Sequence, residues 1–126
     1  MRVLIDTHVF LWFIGEPSHL SDVASETIEF GSSTVLISMA SIWEMSIKSS
    51  MGKLDVAGGF PAIEHVLLEN DIEILPIDFS HTLTNHRLVF HHKDPFDRII
   101  AAQAISEGID IVSIEMHSIR ILKIPR

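Results

Sequence analysis

Short apolar runs that do not alternate with polar residues recur along this chain: RVLID at 2–6, TVLISM at 34–39, IEILPI at 72–77, DIVSI at 110–114 and IRILKI at 119–124. A strand with one face in water alternates, whereas a strand covered on both faces reads as a continuous apolar stretch. The segments between the runs carry helix signals. Residues 7–14 precede Gly15 and Pro17, and Ser18 or Ser21 caps a helix to about Phe30. Ser38 or Ser41 starts a helix to about Lys48, and further helices are expected near 61–70 and 79–87. Asp94-Pro95 opens a helix through Glu107, with Gly108 as its stop. Strands alternating with helices at this spacing imply crossover connections. The expected architecture is α/β: a three-layer α/β/α domain with a mainly parallel five-stranded sheet, spanning 1–126 as a single unit.

In a parallel sheet the carboxyl ends of strands and the amino ends of helices share one edge, where ligands bind. Asp6 ends the first run, Glu44 lies early in the helix after the second, Asp97 lies in HHKDPFDRIIAAQA, and Glu115 follows DIVSI. Each has an ordinary explanation. Asp6 suits a helix cap, Ser41-Ile-Trp-Glu44 fits a capping box, and a lone Glu115 is a solvated loop acid. Pro95 fits the first helical position, which makes Asp94 the N-cap and leaves Asp97 one turn in, pointing into the cleft. Taken together, the four acids on one edge need a cation. Two carboxylates about 4 Å apart repel by roughly 4 kcal/mol at an effective dielectric near 20. All-oxygen ligation in a chain without cysteine suits Mg²⁺ or Mn²⁺ better than Zn²⁺. Such an ion can activate water and neutralise charge developing on a phosphoryl oxygen.

Charge narrows the partners. Seventeen Asp and Glu against nine Lys and Arg give a net charge of −8, the reverse of a passive nucleic-acid-binding surface. A metal-dependent nuclease remains compatible, with Lys48, Lys53, Lys93 and Arg98 flanking the acids and available to a phosphate backbone. The absence of cysteine removes thiol catalysis and disulfides. No run of apolar residues spans a membrane, and Asp6 and His8 interrupt the first apolar stretch, so a cytoplasmic protein is expected. Adjacent His91 and His92 face opposite ways on an extended chain and do not chelate together. Phe10, Trp12 and Phe13 read as helix packing. A phosphoacceptor receiver domain with Asp78 as acceptor is a remote reading, because the acidic pair after the first strand is missing.

With these residues in view, the chain resembles a PIN-domain ribonuclease of the VapC toxin type. The matching pieces are LIDTHVFLW (4–12), SMASIWEMSIKSSMGKL (38–54), HHKDPFDRIIAAQA (91–104) and IVSIE (111–115). The resemblance implies Mg²⁺- or Mn²⁺-dependent endonucleolytic cleavage of RNA and inhibition by a cognate antitoxin protein. It matches Asp6, Glu44 and Asp97 to the metal-binding acids, Asp94 to an additional acid, and Thr7 and Ser113 to small hydroxyl positions near the site. The family usually has Asp where this chain has Glu115, which changes the reach at a second metal position. The apolar LWFI segment, with the resemblance, implies a homodimer. The competing expectation is a catalytically weak or inactive member that acts mainly by binding a partner protein.

Overall fold

The computed structural model describes residues 2–15, 34–89, 94–115 and 118–122, the backbone alone from 114 onward. The helix expected between Ser18 and Phe30, the histidine pair and Lys93 lie outside the described residues. In chain order the elements are β1 (Arg2–Ile5), α1 (Thr7–Gly15), β2 (Thr34–Ser38), α2 (Met39–Ser50), α3 (Ala62–Glu69), β3 (Ile72–Leu75), α4 (Phe79–Arg87), α5 (Pro95–Glu107), β4 (Asp110–Glu115) and β5 (Ser118–Leu122).

The five strands lie in the order β3-β2-β1-β4-β5. The pairs β1–β2, β1–β4 and β2–β3 are parallel, and β5 returns antiparallel to β4. The mainly parallel five-stranded sheet therefore stands, as four parallel strands and one antiparallel edge. β3 stops at Leu75, short of the expected residue 77, because Pro76 has no N–H for a ladder. Glu115 is the last residue of β4 rather than the first beyond it.

Strand periodicity divides the core in two. Val3, Ile5, Val35, Ile37, Ile72 and Val112 project to one face and pack with Val9 and Phe10 of α1, Met45 of α2, and Ile63 and Leu67 of α3. Leu4, Leu36, Leu75 and Ile111 project to the other and meet Ile100 and Ala104 of α5. The apolar runs lack alternation because helices cover both faces.

Helix ends follow local chemistry. Ser38 caps α2, its oxygen accepting from the Ala40 N–H at 2.9 Å, which settles the choice between Ser38 and Ser41. Asp94 caps α5 through the N–H groups of Phe96 and Asp97, and Pro95 occupies the first turn. Gly108 ends that helix at φ 66°, a left-handed conformation costly for other residues. No helix among the described residues is long and apolar enough to cross a membrane.

Candidate active site

Four parallel strands deliver their carboxyl ends to one edge, and α5, running back toward β4, brings its amino end there too. Fixed points define this arrangement. The fully buried Ser38, at the end of β2, donates to Gln103 Oε1 in α5 at 2.5 Å. The Gln103 amide in turn donates to the carbonyls of Leu75, the last residue of β3, and Pro76, the next. Gln103 thus marks the sheet edge, and Asp97, six residues earlier, stands roughly 9 Å further along the helix axis at 1.5 Å per residue. The rings of Trp43 and Phe96, neighbours in sequence of Glu44 and Asp97, meet edge to face at 5.3 Å between centroids.

Asp6 sits where β1 hands over to α1. Its Oδ1 accepts from the Val9 N–H at 2.8 Å, so it caps the helix as its residue type favours. Its Oδ2 accepts from the Ser113 hydroxyl at 2.8 Å, across 107 positions of sequence. The capping and functional readings of Asp6 coexist, since each carboxylate oxygen has a further lone pair.

Glu44 is buried, and the capping-box reading fails for it: α2 starts at Met39, which puts Glu44 in the second turn. The Thr7 hydroxyl lies 3.0 Å from Glu44 Oε1 and 2.8 Å from Ser41 Oγ. Thr7 and Ser41 are buried too, so the three groups satisfy one another in a buried polar chain. Lys48 Nζ meets Glu44 Oε2 at 3.0 Å, one turn along the helix. Lys48, expected at the phosphate backbone, is engaged with an acid of the site. Arg98 is likewise turned inward, donating to the carbonyls of Asn85 and Leu88 at the end of α4.

Asp94 and Asp97 lie at the exposed start of α5, Asp94 occupied as the cap. Lys53 is exposed beyond α2. Ser113 stands near the end of β4 beside Asp6, with Glu115 two residues on in the same strand. The four partly buried residues of LWFI pack against the chain's own core, and Phe10 is fully enclosed.

Oxygen donors oriented by hydroxyls are the chemistry a hard divalent ion requires, and the Lys48 ammonium already holds a cation against Glu44. The donor set fits Mg²⁺ or Mn²⁺. The acids are nonetheless not drawn tightly together. Among the described residues, the group whose three potential ligand atoms lie within 4.8 Å of one another is Asp78, His81 and Glu107, which the sequence did not suggest.

That second group has a structural explanation. The Asp78 N–H donates to His81 Nδ1 at 3.1 Å, completing a capping box at the start of α4. This fixes the proton on Nε2, which lies 3.1 Å from Glu107 Oε2. His81 is fully buried and has no lone pair left for a metal. Hydrogen bonding from Ser80 holds the Asp78 carboxyl below its ordinary value, helped by the backbone N–H of His81. Asp78 is therefore a helix cap, and the phosphoacceptor reading has no support. The sequence signals for this cluster were weak, because Glu107 lies 26 residues from His81. Gln103 was more legible: a polar residue amid AAQA on a core-facing helix needs buried partners.

The sequence pattern of the PIN domain family matches residues 3–114. No curated protein matches the chain. Among solved structures, VapBC2 from Rickettsia felis bound to a promoter DNA fragment is similar, with a TM-score of 0.70 at 18% identity, covering 92% of this chain and 89% of that one. A toxin–antitoxin complex from Klebsiella pneumoniae gives 0.64 at 15% identity, covering 94% and 96%. VapBC-1 from nontypeable Haemophilus influenzae gives 0.64 at 19%, covering 92% and 87%. At these identities the likeness is one of fold.

Proposed function

Because this chain belongs to the PIN domain family, we propose that it is a metal-dependent endoribonuclease, the toxin of a type II toxin–antitoxin pair. The family supports a nuclease in general terms. The observation that carries the finer reading is the pair of hydroxyl-to-carboxylate bonds, Ser113 to Asp6 and Thr7 to Glu44, which orient two sequence-distant acids on the carboxyl edge.

Asp6, Glu44 and Asp97 would hold Mg²⁺ or Mn²⁺, with Glu115 as a further donor. When bound, such an ion supplies Lewis acidity toward a phosphoryl oxygen and makes water a stronger nucleophile at neutral pH. The chain's own residues do the rest. Ser113 and Thr7 fix which lone pairs of Asp6 and Glu44 remain available. Asp94 anchors the first turn of α5, and the helix dipole favours the charge of Asp97. Lys48 offsets the Glu44 charge, so the edge tolerates its acids before a cation arrives. Lys53, exposed beyond α2, is a cation available to the RNA backbone, and Lys93 is assigned the same role from its place in the sequence alone. The antitoxin covers this edge, and the toxin acts as a homodimer in the cytoplasm.

A second reading is favoured by one observation: Lys48 neutralises Glu44 internally, as in a member that binds partners without cleaving RNA. Incubating the purified protein with structured RNA separates the two. Cleavage that requires Mg²⁺ or Mn²⁺, stops with EDTA and disappears in Asp6→Asn supports the nuclease. Equal cleavage in EDTA and in Asp6→Asn, or none with either metal, excludes it.

A further inference from the structure

The distribution of charge along the chain is uneven. From Leu54 to His86 there is no Lys or Arg, while Asp55, Glu64, Glu69, Asp71, Glu73 and Asp78 all fall in this stretch. These residues build α3, β3 and the start of α4, so the negative charge is concentrated at one side of the sheet. β3 is the edge strand there, and among the described residues no strand pairs with its outer side. Unpaired strand edges present backbone donors and acceptors ready for a further strand.

Beside that edge lies a groove of about 430 Å³ whose floor includes Leu67, Ile72 and Ile74 and whose rim carries Glu64, Asp71 and Glu73. A second groove, of about 350 Å³, adjoins it through Glu64, Leu67 and Ile74 and extends to Met39 and Phe60. Leu68 is 72% exposed and Ile74 and Met39 are about 40% exposed, so the apolar surface is open.

We propose that this edge docks an extended, basic segment of a partner protein, added as an outer strand beside β3. Strand addition uses main-chain bonds for affinity and alternate side chains for specificity. Ile72 and Ile74 project to the α3 face and Glu73 to the opposite one. The matching segment therefore alternates apolar side chains, toward Leu67 and Leu68, with Lys or Arg toward Glu73. The rim excludes the other occupants on charge: a second copy would set these acids against themselves, and RNA would bring phosphates to them. β3 lies two strands from β1 and Asp6, although the second groove reaches Met39 at the start of α2, and the test does not depend on nuclease activity.

The test uses the full chain and a fluorescent eight-residue peptide of alternating Lys and Val. Saturable binding is expected, with amide NMR shifts centred on Ile72–Leu75 and on Leu67 and Leu68. N-methylating alternate residues of the peptide, which removes its pairing N–H groups, weakens binding at least tenfold, as does Glu73→Lys in the protein. Should Glu73→Lys misfold, the N-methylated peptide decides alone. Equal binding of the methylated and parent peptides overturns the proposal, as do shifts confined to other surfaces. Shifts of the same amides by an RNA oligonucleotide overturn it too. A dimer in light scattering that Leu68→Ser dissociates would overturn it in favour of a second copy.

Discussion

Lys48 Nζ and Glu44 Oε2 are 3.0 Å apart across one turn of α2, so an ammonium is already paired with a carboxylate proposed to hold a divalent ion. Glu44 is buried while Lys48 is half-exposed, so breaking the pair costs more than the roughly 0.3–0.5 kcal/mol of a fully exposed i,i+4 pair. The pair also weakens cation affinity, because Lys48 competes for Glu44 and repels a second positive charge. Lys48→Met is therefore expected to lower the melting temperature in the absence of metal while tightening Mn²⁺ binding several-fold, measured by calorimetry. Unchanged affinity would show that the ammonium is irrelevant to the cation.

Ser113→Ala removes the hydroxyl donor to Asp6 Oδ2. Stability is expected to fall by about 0.5–1.5 kcal/mol in urea unfolding. RNA cleavage or metal affinity is expected to drop by about 10- to 100-fold, as when groups orienting a metal ligand are lost. Ser113→Thr, which keeps the hydroxyl, restores most of it.

Asp94→Ala removes the cap of α5, where the carboxylate accepts from two backbone N–H groups. The cost in thermal unfolding is expected to be about 0.5–2 kcal/mol. Asp94→Ser, a competent cap, recovers the stability. If the role of Asp94 is only to position Asp97, Asp94→Ser recovers cleavage as well.

Asp78 gives a pH signature. Its folded carboxyl titrates below the ordinary 3.8, chiefly because of the Ser80 hydroxyl. A depressed carboxylate stabilises the fold above its unfolded value, and that contribution disappears as pH falls through the lower folded value. Asp78→Asn is thus expected to shrink the loss of stability between about pH 4 and the folded value. Urea titrations at stepped pH measure it, and an unchanged acid limb contradicts it.

The parallel sheet was legible because buried strands must be apolar on both faces, and Leu4 and Ile5 do enter opposite cores. Asp94-Pro95 was legible because a proline and a capping acid define a helix start locally. The partners of Glu44 were not. A Ser three residues ahead suggested a box, but Ser38 was already the cap, and Ser41 serves Thr7 instead. Long-range pairings such as Ser113 with Asp6 and Ser38 with Gln103 depend on strand order, which local sequence does not encode. Arg98 could not be distinguished from a phosphate-binding residue until the end of α4 was seen against it.

The central claim is that Asp6, Glu44 and Asp97 share a divalent cation, and an electron paramagnetic resonance titration with Mn²⁺ tests it most directly. The wild-type chain is expected to show saturable binding that is lost in Asp6→Asn and in Asp97→Asn and retained in Glu107→Gln. Binding that survives Asp6→Asn and vanishes in Glu107→Gln would move the cation to the His81 cluster and contradict the account.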